Sequence, residues 1–203
     1  LALRRIKKTT QSNPAQALVK NTLIKEFVGR LSFALTHSQE RVVNEIKEDL
    51  RKPVPMMRLL QGDVGSGKTV VAALAMSIAA DNGTQSALMA PTELLAEQHM
   101  DNLRGWFEPL GVKTVLLKSN LTQKEKGLIL NDIKNGEASI IVGTHALFQN
   151  KVEYKNLGLV IVDEQHRFGV DQRLSLVKKT GNNNLVPHQL IMSATPIPRT
   201  LAM

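Results

Sequence analysis

The 203-residue sequence has no cysteine. A disulfide framework of the kind that stabilises small secreted domains is therefore excluded. The chain also does not open with a charged segment followed by an apolar core and a small-residue cleavage site. These features favour a protein of the reducing cytoplasm over a secreted one.

Aromatic residues are scarce, and no apolar run is long. Only 3% of the residues are Phe, Trp or Tyr, which argues against a protein that stacks single-stranded bases on exposed aromatic side chains. We interpret Trp106 as a core residue. The longest nearly unbroken apolar stretch, residues 70–80, is much shorter than the ~20 residues that cross a bilayer. We therefore predict a buried helix there and no membrane partner.

The positive charge is concentrated at the amino end. The formal net charge is +8, and residues 1–30 contain seven Lys or Arg but only one acid, Glu26. Two interpretations stay open: a solvated charged helix, or an arm that faces DNA. Because residues 1–30 lack the alternation described below, we predict a basic helical linker there and one globular domain in residues 31–203. The first residue is Leu1 rather than Met, and the last residues lie inside a motif, so we expect an excised fragment of a longer protein.

Apolar runs bounded by turn residues alternate with helix-like stretches from residue 38 onward. This alternation is typical of an α/β domain with a parallel sheet and helices on both faces. The predicted strands are residues 56–60, 86–89, 114–117, 139–142, 159–162 and 189–192. The predicted helices are residues 38–50, 68–80, 92–106 and 122–135, with Ser38 as a cap and Thr122 and Glu125 at capping-box spacing.

The strongest motif is the phosphate loop Gly62-Asp63-Val64-Gly65-Ser66-Gly67-Lys68-Thr69. It follows a predicted strand and opens a predicted helix, so its backbone N–H groups and the positive helix end can surround phosphate oxygens. We predict that Lys68 neutralises the β and γ phosphates of ATP and that Thr69 binds Mg²⁺. The sequence therefore indicates a P-loop NTPase.

A second candidate site follows the apolar run of residues 157–162, which ends in Asp163 and Glu164. Ligand sites of α/β proteins lie at the carboxyl ends of such strands. We predict that Asp163 binds Mg²⁺ and that Glu164 orients and deprotonates the attacking water. Two acids alone would also fit a solvated strand end, but after a phosphate loop they favour hydrolysis.

The motifs resemble those of the superfamily-2 helicases. Asp163-Glu164-Gln165-His166 is similar to the DExH box, and Ser193-Ala194-Thr195 is similar to the coupling motif III. The resemblance implies a RecA-like fold, and it implies that His166 couples the γ-phosphate to DNA. A purely structural histidine is the alternative for His166.

Three further motifs occur in the family's order. Phe33, Leu35, Thr36 and Gln39 resemble the adenine-side Q-type motif, Ala90-Pro91-Thr92-Glu93-Leu94 resembles motif Ia, and Val142-Gly143-Thr144-His145 resembles motif Ib. The resemblance implies that Phe33 and Gln39 bind the nucleotide. It also implies that Pro91, Thr92, Gly143, Thr144 and His145 line the nucleic-acid backbone. Thr92 and Thr144 could instead be helix caps, and a structural role for His145 stays equally open.

Three longer runs, residues 57–69, 163–170 and 194–203, resemble the RecG family of DNA helicases. The transcription-repair coupling translocase Mfd is the alternative, and Gln165 favours RecG because Mfd usually has Glu there. The resemblance implies an ATP- and Mg²⁺-dependent motor that acts on branched double-stranded DNA, in stalled-fork reversal and Holliday junction migration. It also implies a wedge domain upstream and a second motor domain downstream as partners in the same parent chain. A nucleotide-gated binding module and an RNA helicase are the remaining alternatives.

Overall fold

The computed structural model describes residues 1–5, 14–149, 151–163 and 185–194. Within them one sheet of seven strands runs in the order β1-β2-β7-β6-β3-β5-β4. The strands are β1 (Ala2–Arg5), β2 (Met57–Gln61), β3 (Gln85–Met89), β4 (Thr114–Leu117), β5 (Ile140–Gly143), β6 (Leu157–Asp163) and β7 (His188–Ser193). The helices are α1 (Thr22–Gly29), α2 (His37–Leu50), α3 (Lys68–Asp81), α4 (Glu93–Phe107) and α5 (Gln123–Asn135), with 3-10 turns at Glu108–Leu110 and His145–Phe148.

All the described strands except β1 pair in parallel, which confirms the predicted sheet. The central strands β3, β5 and β7 are buried along their whole length. Parallel strands are apolar throughout because helices cover both faces of the sheet. This double burial is why the strands contain the apolar runs of residues 87–89, 140–142 and 190–192, with polar residues only at the strand ends.

Two hydrophobic clusters lie on opposite faces of the sheet. Alternate strand residues divide between them, so that Leu88 joins one cluster and Ala87 and Met89 join the other. The first cluster contains side chains of α1, α2, α3 and α4. The second contains Ile133 of α5 and the 3-10 turn at His145–Phe148. The helices therefore cover both faces, as predicted.

Helix α3 is buried from Val70 through Ala79, which confirms the buried helix expected from the apolar run. Within the described ranges no helix is both long enough and apolar enough to cross a membrane.

Of the two helix caps predicted from the sequence, one is confirmed and one is wrong. Thr122 and Glu125 form the predicted capping box of α5. The prediction of Ser38 as the cap of α2 is wrong, because Thr36 holds that position. The Thr36 hydroxyl accepts from the Gln39 N–H at 3.3 Å, while the Gln39 side chain accepts from the Thr36 N–H at 2.9 Å. A reciprocal pair of bonds is available to Thr36 because a glutamine lies three residues later.

The amino-terminal region contains a helix, as expected, and also a strand that the sequence pattern did not predict. Strand β1 pairs antiparallel with β2, with Ala2 opposite Gln61. Helix α1 packs against α3 through Ile24 and Phe27, and the Phe27 ring lies 5.1 Å from the Phe107 ring. Residues 14–29 therefore share the main hydrophobic core with the sheet.

Candidate nucleotide and nucleic-acid site

The predicted site segments meet at one edge of the sheet. The phosphate loop follows β2, Asp163 ends β6, and Ser193 ends β7. Motif Ia follows β3, and motif Ib begins at the end of β5. Because these strands are parallel and adjacent, their carboxyl ends share one edge, where α/β proteins bind their ligands. The fold thus brings together residues as far apart in the sequence as Gly62 and Ser193, which are 131 positions apart.

The phosphate loop is a tight turn between β2 and α3. Gly65 and Gly67 have φ angles of 79° and 81°, which L-residues with side chains adopt only with strain. The Ser66 N–H donates to the Asp63 carbonyl at 3.1 Å, which closes the turn. Gly67 is the residue before the first helical position, so the free N–H groups of the α3 amino end point into the loop. This is the backbone arrangement that binds anions.

Lys68 lies inside the loop that precedes it. Its ammonium donates to the Gly62 carbonyl at 2.6 Å and to the Asp63 carbonyl at 2.8 Å. A phosphate that entered the loop would compete with these carbonyls for the same three N–H donors. The position of the ammonium therefore fits the phosphate-binding role predicted for Lys68.

Two further features of the loop fit a bound phosphate. The Ser66 hydroxyl is buried, and among the described residues it has no hydrogen-bond partner. A methyl group at Gly62 would lie 2.5 Å from the Leu1 Cδ2 and 2.7 Å from that hydroxyl, so the loop is too closely packed here for any side chain. Val64 at the tip is 89% exposed. A buried hydroxyl without a partner in a phosphate loop is a donor that an oxyanion would satisfy.

Gln39, predicted to bind the nucleotide on its adenine side, contacts the phosphate loop. Its side chain is buried, and its Nε2 donates to the Ser66 carbonyl at 3.2 Å. The same amide fills the space that a side chain at Gly67 would need. Gln39 therefore ties the start of α2 to the phosphate loop. Phe33 is 47% exposed, and its contact with adenine stays a prediction.

Asp163 has a partner that sequence reasoning missed. His99 of α4 lies with its Nε2 2.7 Å from the Asp163 Oδ2, and both side chains are nearly buried. One signal in the sequence could have indicated that His99 is buried. Ala96 lies three residues before it and Leu103 four residues after it, so His99 falls on the apolar face of α4. That spacing identifies a buried histidine but not its partner, because β6 lies 64 residues away.

The donors predicted for Mg²⁺ are of a suitable chemical type. Carboxylate and hydroxyl oxygens are the hard ligands that Mg²⁺ prefers, and Asp163 and Thr69 offer one of each. Asp163 contacts His99 through its Oδ2. Its other carboxylate oxygen, Oδ1, is therefore the one that we assign to Mg²⁺. Glu164, Gln165, His166 and Thr195 lie outside the described residues, so their predicted roles stay predictions.

The coupling motif touches the phosphate loop directly. Ser193 is buried, and its carbonyl accepts from the Gly62 N–H at 3.2 Å. This bond continues the ladder in which Gln61 lies opposite Ser193. Ala194 follows and is half-buried. A shift of the phosphate loop would therefore displace the coupling motif, and the reverse.

The predicted nucleic-acid residues differ in exposure. Thr92 is exposed, and its hydroxyl caps α4 by accepting from the Leu95 N–H at 3.3 Å. Pro91 beside it is half-buried. His145 is exposed, whereas Thr144 is only 7% exposed, so its hydroxyl offers little surface to a phosphate. Gly143 is close-packed, because a methyl group there would lie 2.7 Å from the Leu117 carbonyl.

Motif Ia is also anchored to the loop between β4 and α5. Glu93 accepts hydrogen bonds from the Ser119 N–H at 3.0 Å and from the Ser119 hydroxyl. These bonds lower the pKa of the Glu93 carboxyl below its ordinary value. One turn later, Glu97 accepts from the Lys118 ammonium at 2.7 Å. The amino end of α4 is therefore held in place at the edge where motifs Ia and Ib meet.

Known proteins resemble the chain over its whole length. It is 55% identical to the ATP-dependent DNA helicase RecG of Pasteurella multocida, covering 100% of this chain and 29% of that protein. Identity to RecG of Escherichia coli K12 is 53%, again over 100% of this chain and 29% of the relative. The predicted resemblance to RecG is confirmed. The chain spans less than a third of the length of these relatives.

Solved structures of helicases also resemble the chain. The structure of RecG bound to a three-way DNA junction matches 94% of this chain and 25% of that one, with a TM-score of 0.80 and 43% identity. The yeast DEAD-box splicing factor Prp28 matches with a TM-score of 0.67 at 15% identity, which shows the fold alone. The family model for DEAD/DEAH box helicases matches residues 36–203. On the strength of that match and of the edge at which the motifs meet, this chain belongs to the DEAD/DEAH box helicase family.

Proposed function

We propose that this chain is the ATP-binding motor domain of a DNA helicase that remodels branched DNA, as in fork reversal and Holliday junction migration. The observation that carries the proposal is the single sheet edge that holds the phosphate loop, Asp163 and motifs Ia and Ib. Similarity to RecG over the full chain supports the choice of branched DNA as the substrate. In a bacterium, such a motor would work in the cytoplasm, where the chromosome lies.

In the proposed ATP site, the N–H groups of residues 62–67 and the amino end of α3 bind the phosphates. Lys68 exchanges the carbonyls of Gly62 and Asp63 for phosphate oxygens. Thr69 and Asp163 hold the Mg²⁺ that accompanies ATP. When bound, that ion neutralises the charge that develops on the transferred phosphoryl group. Glu164 accepts a proton from the attacking water.

In the proposed DNA site, Thr92 at the start of α4 and His145 at the start of a 3-10 turn are exposed beside the carboxyl ends of β3 and β5. These side chains meet backbone phosphates rather than base edges, so we expect binding that tolerates any sequence and weakens with salt. The bond between Gly62 and Ser193 provides the contact through which the phosphate loop and the coupling motif move together.

The remaining parts of the proposed machine belong to the rest of the parent chain. A second motor domain supplies an arginine that stabilises the transition state, and a wedge domain engages the junction. These partners are consistent with relatives more than three times as long as this chain.

The test is ATP hydrolysis by the full-length protein with forked DNA, linear duplex DNA or RNA. We expect forked DNA to stimulate turnover most, and Lys68→Ala to abolish it because the phosphates lose their cation. Lys134→Ala is the matched control, since that exposed lysine lies in the last turn of α5 and pairs with Glu153. Strong preference for RNA, or stimulated turnover that survives Lys68→Ala, would refute the proposal.

A further inference from the structure

The contact between His99 and Asp163 joins the two halves of the site. Their 2.7 Å separation is that of a strong hydrogen bond, and the side chains are only 11% and 13% exposed. An ionised carboxylate can only accept, so the His99 Nε2 must donate its N–H. A bond so well shielded from water constrains the orientation of the carboxylate.

His99 is itself held firmly. It lies in α4, two turns after the motif Ia residue Thr92. Ala96, Met100 and Leu103 on the same helix are at most 2% exposed and pack in the main core. Because close-packed helices move as rigid units, a displacement at Thr92 would be transmitted to His99.

Asp163 is fixed in direction by its strand. It pairs with Met192 of β7, one residue before the Ser193 that touches the phosphate loop. With the backbone held on one side and the Oδ2 held by His99, the Oδ1 is the oxygen left to face a ligand at the sheet edge. Partners of this kind orient a metal-binding side chain without touching the metal.

We propose that His99 is a positioning residue that holds Asp163 for Mg²⁺ and links the motif Ia helix to the ATP site. The inference rests on the proposed function and adds a residue to it. Contact of nucleic acid with Pro91 and Thr92 shifts α4, and the His99 bond carries that shift to the carboxylate. Conversely, Mg²⁺ bound to Asp163 restrains the motif Ia helix.

The first test measures the affinity of a fluorescent ADP for the full-length protein as the Mg²⁺ concentration is raised. His99→Leu removes the donor at similar size, and His99→Gln keeps an N–H at nearly the same reach. We expect the Leu variant to need about 10- to 100-fold more Mg²⁺, with Mg²⁺-free affinity unchanged. The Gln variant should recover most of the loss. Asn102→Ala, an exposed position on the same helix, is the matched control.

A second comparison uses a polar replacement, so that the test does not depend on the folding of the His99→Leu variant. His99→Asn has an amide too short to reach the carboxylate, so it should behave like the Leu variant while His99→Gln resembles the wild type. In ATP hydrolysis, the Asn variant should lose most of its stimulation by forked DNA. Folded Leu or Asn variants with normal Mg²⁺ dependence and normal DNA stimulation would overturn the inference.

Lys68→Ala in the same assay separates the two proposals. Nucleotide binding that does not depend on Lys68 would refute the proposed function itself. Binding that depends on Lys68 but keeps its Mg²⁺ response in the His99→Asn variant would refute only the role of His99.

Discussion

Gly65 and Gly67 illustrate how two residues in one loop can differ in their surroundings. Their φ angles are 79° and 81°, so an alanine at either position would be strained by a similar amount. A methyl group at Gly65 would have open space around it, whereas one at Gly67 would collide with the Gln39 amide. The pair therefore separates backbone strain from steric conflict.

We predict that Gly65→Ala lowers the free energy of unfolding by about 1–2 kcal/mol, the cost of the left-handed conformation. Gly67→Ala should cost about 1–3 kcal/mol more, because the added methyl displaces Gln39. Urea denaturation of the two variants measures this difference. Adding Gln39→Ala should remove most of the extra cost, as a double-mutant cycle would show. Equal losses for Gly65→Ala and Gly67→Ala would show that Gln39 yields freely.

At the scale of elements, the amino-terminal segment is joined to the sheet by specific polar contacts. The Asp81 carboxylate at the end of α3 accepts from the Thr22 N–H at 2.6 Å and the Leu23 N–H at 3.2 Å. It thereby caps α1, whose own N-cap residue Asn21 makes no side-chain cap bond. The cap comes from another helix, so no local pattern around α1 signals it.

His188 makes a second connection between this segment and the sheet. Its Nδ1 accepts from the Met56 N–H at 3.0 Å, and its Nε2 donates to the Gln16 carbonyl at 2.8 Å. This pattern requires a neutral ring. Burial lowers the pKa of His188 below its ordinary value of 6.5, against the opposing effect of the Gln16 carbonyl.

We predict that acid weakens the fold through His188. Since the pKa is lower in the folded state, the stabilisation is complete above pH 6.5 and is lost as the pH falls below it. The loss can reach about 1.4 kcal/mol per pH unit for one proton. Urea denaturation at pH 7.5 and 5.5 should show a smaller drop for His188→Gln than for the wild type. His37→Gln, which replaces an exposed histidine, should retain the wild-type drop; equal drops in all three would contradict the assignment.

At the scale of the whole molecule, the proposed ATP site lies at the carboxyl ends of the parallel strands of one domain. In the proposed function, the arginine that stabilises the transition state comes from a second motor domain. Arginines in that role raise phosphoryl-transfer rates by about 10³ to 10⁵. The chemistry should therefore depend on two domains even though the phosphate loop belongs to one.

We predict that this chain alone hydrolyses ATP slowly and that forked DNA does not stimulate it. The measurement is turnover by the chain with and without forked DNA, beside Lys68→Ala and the full-length protein. Circular dichroism would establish that the chain is folded. Robust, Lys68-dependent and DNA-stimulated turnover by the chain alone would show that one domain suffices, and the two-domain account would then be wrong.

Elements whose signals are local were predictable. The strand of residues 114–117 was predicted with its observed bounds, and the capping box of Thr122 and Glu125 was predicted correctly. Strand β1 was not, because a four-residue edge strand becomes a strand only through its pairing with β2. Ser38 was the wrong cap for α2, although the glutamine three residues after Thr36 is a local capping-box signal that favours Thr36.

The sequence alone determined the helicase motifs and the chemistry predicted for them, because each motif is contiguous and its predicted function depends on residue type and spacing. The α/β class followed from apolar periodicity, which is also local. Only the tertiary structure decided which side chains meet: His99 with Asp163, Gln39 with Ser66, and Gly62 with Ser193. These contacts join segments 27 to 131 residues apart. Strand order and helix packing bring them together, and no local pattern encodes either.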